Sequence, residues 1–168
     1  MMSAIQWIIV LVALQRLGEL WLSARNSRWQ IAQGGREIGR SHYPLIVLVH
    51  AGWLIAMLVT IPASAPLNLS LIIVFLVLQI GRIWVITSLG QYWTTRIISN
   101  PAVPLVRRGP YRWIRHPNYL IVVLEIAVLP LAFGAWKIAL IFSLANAAVL
   151  WWRIRIENTT INDRMRQT

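Results

Sequence analysis

Five runs of apolar residues restrict what this chain can fold into. They cover residues 5–22, 44–61, 67–89, 119–133 and 138–152, and hydrophobic residues make up 58% of the chain. A helix needs roughly 20 apolar residues to cross about 30 Å of hydrocarbon. The first three runs reach that length, whereas the last two are short and predict a tight helical hairpin around residues 134–137. We therefore expect one all-α domain over residues 1–168, a polytopic membrane protein with five transmembrane helices.

The positive charges are divided unevenly between the predicted loops. Of the 16 Lys and Arg, four follow the first run, five lie between the third and fourth runs, and four follow the fifth. The opposite ends of the helices carry only Lys137. Because Lys and Arg collect in cytoplasmic loops, we predict an integral protein of the cell membrane, with its N-terminus outside and its C-terminus in the cytoplasm. This distribution accounts for the net charge of +11, so we expect no nucleic acid partner.

Residues 107–119 gather the densest set of hydrogen-bonding groups, in the sequence Arg-Arg-Gly-Pro-Tyr-Arg-Trp-Ile-Arg-His-Pro-Asn-Tyr. A basic loop that only fixes orientation is the simplest interpretation. However, orientation requires neither Gly-Pro-Tyr nor His-Pro-Asn-Tyr, so we favour a binding site. Residues 91–119 begin with strand-favouring residues and then pass through Pro101, Pro104 and Pro110. We expect residues 91–119 to form an irregular or short-hairpin lid.

The predicted hairpin brings a second polar run to the level of this segment. If its turn centres near Ala135, antiparallel positions at equal depth have residue numbers that add up to about 270. Trp113 is then level with Glu157, and the run Arg153-Ile-Arg-Ile-Glu157 meets the segment at the cytoplasmic surface. We therefore predict that the two polar runs form one site.

Charged residues inside the spans require partners, because an unpaired charge in the membrane is costly. The hairpin arithmetic places Glu125 beside Asn146, which predicts a hydrogen-bonded pair. Arg16 and Glu19 are three residues apart and can pair on one helix face. Arg82 either extends towards the cytoplasmic end of its helix or has a functional role.

Several kinds of site are not expected. The three His are far apart in sequence without a carboxylate cluster, and the chain has no Cys, so we predict no metal site. The sequence contains no dinucleotide-binding glycine loop and no phosphate-binding loop. The remaining constellation of His, Tyr, Arg, Glu and Asn lies at a boundary between lipid and water. It suits a zwitterionic ligand that contains a nucleoside.

These motifs resemble the isoprenylcysteine carboxyl methyltransferase family of integral-membrane methyltransferases. The resemblance rests on Gly109-Pro-Tyr-Arg-Trp-Ile-Arg-His-Pro-Asn-Tyr119, a short apolar hairpin, and Arg153-Ile-Arg-Ile-Glu157. The N-terminal half is similar to a bacterial branch whose members methylate phenolic lipids or pyrones. The family often has Gly at the position of Ile121 and a second Glu at the position of Asn158.

The resemblance implies a non-Rossmann, all-helical site for S-adenosyl-L-methionine within about residues 90–163. It implies a lipid-like acceptor, either a prenylcysteine-type carboxylate or the hydroxyl of a phenolic or pyrone lipid. The implied catalytic residues are Glu157, Arg153 and His116. The implied cofactor-binding residues are Tyr111, Arg112, Arg115, His116, Pro117, Tyr119 and Glu157.

Methyl transfer from a sulfonium is an in-line displacement that depends mainly on positioning. A carboxylate acceptor needs no general base, whereas a phenol or enol must lose a proton, and Glu157 or His116 is the nearby base. Two alternatives remain. One is an NADPH-dependent membrane reductase of the sterol-reductase type, and the other is a non-catalytic membrane scaffold.

Overall fold

Five α-helices account for most of the computed structural model, which describes residues 3–100, 103 and 106–166, without the side chains of His42 and of residues 160–166. Pro101 and Pro104, which we expected in the lid, lie outside the described residues. The all-α prediction is confirmed apart from one small sheet. The helices are α1 (Ala4–Ala32), α2 (Tyr43–Thr60), α3 (Leu69–Leu89), α4 (Pro117–Ala132) and α5 (Trp136–Arg166), and the strands are β1 (Arg36–Ile38) and β2 (Ile97–Ser99).

Four of these helices are long and apolar enough to cross a membrane: α1, α2, α3 and α5. The shorter α4 has 16 residues, and it is joined to α5 at Gly134, as the hairpin prediction requires. The fifth helix extends well beyond its apolar run, because α5 continues to Arg166. The sequence after Trp152 contains no Pro or Gly, so nothing ends the helix at the membrane boundary.

The first helix also extends beyond its apolar run, to Ala32. It begins with a capping box, in which the backbone amide of Gln6 donates to the hydroxyl of Ser3 over 3.3 Å. Its polar last turns are held by the segment before β2. The amide of Asn26 donates to the carbonyl of Trp93 over 2.8 Å, and the hydroxyl of Ser23 lies 2.7 Å from that of Thr95. The helix ends just before Gly34, whose φ of 88° favours glycine.

The two strands join distant parts of the chain. β1 pairs antiparallel with β2, with Arg36 opposite Ser99 and Ile38 opposite Ile97. The short-hairpin form of the predicted lid is therefore wrong, because β2 finds its partner in the α1–α2 connection. Glu37 fixes this pairing through hydrogen bonds from Arg40 and Arg96, each over 2.9 Å. Two of the three basic segments thus lie at one end of the bundle.

Four charged side chains form a buried network between α1, α3 and α4. Glu125 accepts hydrogen bonds from Arg82 over 2.9 Å, from Arg16 over 2.7 Å and from Gln79 over 2.7 Å. The predicted Glu125–Asn146 pair is wrong, since two guanidinium groups provide stronger, charge-assisted bonds to the carboxylate. The predicted pair of Arg16 and Glu19 is present over 2.7 Å. Arg82 is buried at 2% exposure and so does not extend to the membrane surface.

The apolar core lies at the other end of the bundle, between α1, α2, α3 and α4. It contains Ile9, Trp53, Phe75 and Leu129, all at most 4% exposed. Many large apolar side chains face outwards, Ile80 among them at 68% exposure, which is expected of helices that contact lipid. Packing thus closes one end of the bundle, and the polar segments cover the other.

Candidate active site

A polar cavity of about 170 Å³ lies at the end of the bundle that carries the basic segments. Its walls come from the end of α1, from β2 and the residues before it, and from the beginning of α4 and the end of the membrane part of α5. Six residues that the sequence pointed to line this cavity: Tyr111, Arg115, His116, Tyr119, Arg153 and Glu157. The predicted meeting of the two polar runs is therefore present.

Tyr119 connects the two helices of the hairpin. Its hydroxyl donates to a carboxylate oxygen of Glu157 and accepts a hydrogen bond from Arg153 Nε over 2.7 Å. The Arg and the Glu are four residues apart on α5, which places them on the same face of the helix. Pro117 occupies the first position of α4, where its missing N–H leaves no helical bond unmade. This start to the helix directs Tyr119 towards α5.

His116 completes the cluster. Its ring stacks on that of Tyr119, with centroids 5.1 Å apart and an interplanar angle of 11°. Its Nδ1 lies 3.9 Å from an oxygen of Glu157. A histidine, a tyrosine and a carboxylate are thus held together by groups from the two ends of one hairpin.

Three polar atoms around this cavity are buried without a hydrogen-bond partner among the described residues. They are His116 Nε2, Asn118 Oδ1 and Arg153 Nη1. Buried polar atoms in proteins are almost always paired. A set that contains both donors and acceptors therefore indicates a polar ligand with several hydrogen-bonding groups.

Tyr111 lies on the 3-10 turn Gly109–Arg112. Burial raises the pKa of its hydroxyl well above the ordinary value, and the nearby Glu157 adds to the effect. The phenol therefore remains protonated at neutral pH and serves as a hydrogen-bond donor. The turn itself packs on α3, where Gly109 lies against Ser88 so closely that a Cβ has no room.

A larger, mostly apolar groove of about 380 Å³ adjoins the polar cavity. It lies between α1, α2, α4 and α5, and it runs from the cavity towards the middle of the bundle. Four residues line both spaces: Trp93, Asn118, Tyr119 and Arg153. Trp93 is 2% exposed and forms part of this shared wall.

Two of the residues that the resemblance implied do not line either space. The guanidinium of Arg112 lies 5.7 Å above the exposed ring of Trp113, and Pro117 is buried at the start of α4. Sequence reasoning missed other wall residues, of which Asn118 lies within the quoted motif. Gln30 and Arg96 carry no local signal, because they reach the cavity through α1 and the sheet.

Fold and site together define a class: a polytopic helical membrane protein with a polar cavity that opens onto a lipid-sized groove. The chain belongs to the isoprenylcysteine carboxyl methyltransferase (ICMT) family, whose profile matches residues 71–163. It is 36% identical to the uncharacterized protein YpbQ of Bacillus subtilis, over 94% of this chain and 96% of that protein. It is 23% identical to an uncharacterized protein of Haemophilus influenzae, over 88% of each. No solved structure matches the chain.

Membership of this family indicates a membrane methyltransferase. The resemblance predicted from the motifs is therefore confirmed. The roles that it implies for individual side chains stay predictions, which the geometry above makes specific enough to test.

Proposed function

We propose that the protein is an S-adenosyl-L-methionine-dependent O-methyltransferase that acts on a lipid-like acceptor at the membrane surface. The observation that carries this proposal is the wall that the polar cavity and the apolar groove share, formed by Trp93, Asn118, Tyr119 and Arg153. A reaction between a polar cofactor and a lipid requires two such compartments in direct contact.

The residues of the polar cavity fit this cofactor. S-adenosyl-L-methionine carries a carboxylate, an ammonium group, ribose hydroxyls and an adenine. Arg153 Nη1 and His116 Nε2 are unpaired among the described residues, and so is the acceptor Asn118 Oδ1. Arg115 and Glu157 also line the cavity. When bound, the cofactor supplies a methyl group on a positively charged sulfur.

The side chains at the shared wall have distinct tasks in this proposal. Arg153 donates hydrogen bonds to an acceptor oxygen that carries negative charge, and its Nε is held in place by Tyr119. For a carboxylate acceptor this positioning is sufficient. For a phenol or enol acceptor, Glu157 or His116 takes the proton, since both lie at the same cluster. Trp93 is buried in the shared wall and helps to exclude water from it.

The groove binds the apolar tail of the acceptor in this proposal. Its aliphatic walls come from residues such as Leu20, Leu54, Val122 and Leu150, and it extends along helices that face lipid. An acceptor can therefore enter sideways from the bilayer. The binding energy of its tail then positions the head group at Arg153.

The orientation that we propose places this site in the cytoplasm, with the N-terminus outside. The sheet supports this orientation, because it holds together the basic segments that follow α1 and α3. The third basic segment, at the end of α5, contacts α4 through Glu157. Arginine-rich ends of membrane helices remain in the cytoplasm.

Equilibrium binding of S-adenosylhomocysteine to the purified protein in detergent tests the cofactor assignment. We expect saturable binding. Binding of NADPH in its place would support the reductase alternative, and binding of neither would support a non-catalytic scaffold. Methyl transfer to alkylresorcinols and prenylcysteine analogues of increasing chain length tests the acceptor assignment. We expect kcat/KM to rise with chain length, and equal values would contradict lateral entry.

A further inference from the structure

The groove contains a second polar layer, deeper in the membrane than the first. The first layer lies at the shared wall with Tyr43, Thr95, Tyr119 and Arg153. The second consists of Arg16, His50, Arg82 and Asn146, which also line the groove. Arg16 and Arg82 belong to the buried ion network, whereas acceptor binding at the first layer gives His50 no role.

Helix geometry gives the separation of the two layers. Ser23 and Tyr43 both contact Thr95, over 2.7 and 3.2 Å. Seven residues along α1 and α2 separate these positions from Arg16 and His50, which is about 10 Å at 1.5 Å per residue. A spacing of seven residues also separates Arg153 from Asn146 on α5. Residues seven apart lie on nearly the same helix face, so the groove follows this line between the layers.

His50 offers an unused hydrogen-bonding atom in the deeper layer. Its Nδ1 lies 2.8 Å from the carbonyl oxygen of Ile46, which only accepts, so Nδ1 carries a proton. In the described part of the chain nothing is hydrogen-bonded to Nε2. The neighbouring guanidinium groups are matched by Glu19 and Glu125, which leaves no carboxylate to balance an imidazolium. The neutral ring therefore presents Nε2 as an acceptor.

Arg16 offers the complementary atom. Its two terminal nitrogens bind Glu19 and Glu125, each over 2.7 Å. Its Nε is buried and has no partner among the described residues. His50 and Arg16 line the same groove, each seven residues from a side chain that contacts Thr95. The deeper layer thus presents an acceptor and a donor beside an otherwise apolar passage.

We infer that the lipid acceptor carries a second polar group, a hydroxyl about 10 Å from the methylated oxygen. This hydroxyl binds in the second layer, between His50 Nε2 and Arg16 Nε. A hydroxyl is the smallest group that both donates and accepts a hydrogen bond. A plain hydrocarbon chain leaves both atoms unpaired, and a carbonyl serves only the guanidinium. This inference rests on the proposed lipid acceptor and narrows it to hydroxylated amphiphiles.

Binding of radiolabelled lipids to the purified protein in detergent, without cofactor, tests the inference. One probe is an alkylresorcinol with a saturated chain. A second carries one chain hydroxyl about 10 Å from a phenolic oxygen when the chain is extended, and a third carries it at the chain end. We expect the second probe to bind about tenfold more tightly than the other two.

Two variants of one residue provide the matched control. In His50→Asn the amide keeps a group near the Nδ1 position and lacks one at Nε2, whereas in His50→Gln the amide reaches the Nε2 position. We expect the preference for the second probe to disappear in His50→Asn and to remain in His50→Gln. Thermal unfolding in detergent checks that both variants fold.

Equal binding of all three probes by the parent would overturn the inference, and so would a preference that survives in His50→Asn or a failure to bind any probe. Binding of S-adenosylhomocysteine to the same preparations is measured separately. Its absence, with the hydroxyl preference intact, would refute methyl transfer and leave the hydroxyl site in place. Its presence without the preference would refute only the hydroxyl site.

Discussion

Arg153 and Tyr119 are hydrogen-bonded at the boundary between the polar cavity and the apolar groove, with Nε of the arginine donating to the hydroxyl of the tyrosine over 2.7 Å. Both side chains line both compartments. The same hydroxyl donates to Glu157. One phenolic oxygen therefore sets the position of a cation and of a carboxylate, and its removal is the most direct test of the site.

We expect Tyr119→Phe to weaken the binding of S-adenosylhomocysteine about tenfold, because the variant loses two hydrogen bonds to charged groups and keeps the stacking on His116. Isothermal titration in detergent measures the affinity. The unfolding temperature should stay close to that of the parent, and an unchanged affinity would show that the hydroxyl has no part in the cofactor site.

The two arginines on either side of Trp113 should behave differently. Arg115 lines the polar cavity, whereas Arg112 lies against the exposed indole. We expect Arg115→Ala to lower the affinity for S-adenosylhomocysteine about threefold to tenfold, and Arg112→Ala to leave it within about twofold. Equal losses in the two variants would point to the general positive charge of the segment instead of to one contact.

Glu125→Gln should destabilise the fold strongly. The substitution leaves the guanidinium groups of Arg16 and Arg82 with one carboxylate, that of Glu19, inside the bundle. Breaking a buried ion pair in this way costs about 3–5 kcal/mol. Unfolding by sodium dodecyl sulfate in mixed micelles measures the loss, and the exposed Lys137→Gln at the hairpin tip is the control, with an expected change within about 0.5 kcal/mol.

The sheet should weaken in acid. Burial opposes the charge on Glu37, but hydrogen bonds from Arg40 and Arg96 outweigh burial and hold its pKa below the ordinary value. A lowered folded-state pKa stabilises the protein above the unfolded pKa, and this contribution is lost as the pH falls through the folded value.

We therefore expect the parent to unfold about 2–4 °C above Glu37→Gln at pH 7. The difference should shrink as the pH falls below about 4.3, the ordinary value for Glu. Thermal unfolding of both proteins at a series of pH values measures it. A difference that grows on acidification would contradict the proposed ion pairs.

The proposed orientation is open to a matched labelling experiment, since the chain contains no Cys. Ala32 and Ser64 are both exposed, at opposite ends of the bundle. In intact cells we expect an impermeant thiol reagent to label Ser64→Cys and not Ala32→Cys, which should react only after the membrane is opened. The reverse pattern would place the polar cavity outside the cell.

The features that the sequence predicted correctly are local ones. Apolar length identified the helices, and the turn at Gly134 made the hairpin arithmetic reliable, because two helices joined by a short turn must run side by side. That arithmetic brought Glu157 to the level of Trp113, and the structure places its carboxylate at Tyr119 and His116.

The features that it missed depend on packing between distant segments. The strands β1 and β2 are joined across the whole of α2 and α3, and short strands of this kind carry little signal alone. The partners of Glu125 were missed because they come from α1 and α3. Packing between the helices determines which faces of α1 and α3 contact α4, and no local sequence pattern predicts it.

The shared wall has a thermodynamic consequence. Because Tyr119 and Arg153 belong to both compartments, a ligand that fixes them in one compartment changes the free energy of binding in the other. Linkage requires this effect to be mutual: the factor by which a bound lipid changes the affinity for the nucleoside ligand equals the factor by which the nucleoside ligand changes the affinity for the lipid. One hydrogen bond at the boundary thus makes the two binding equilibria a single coupled system.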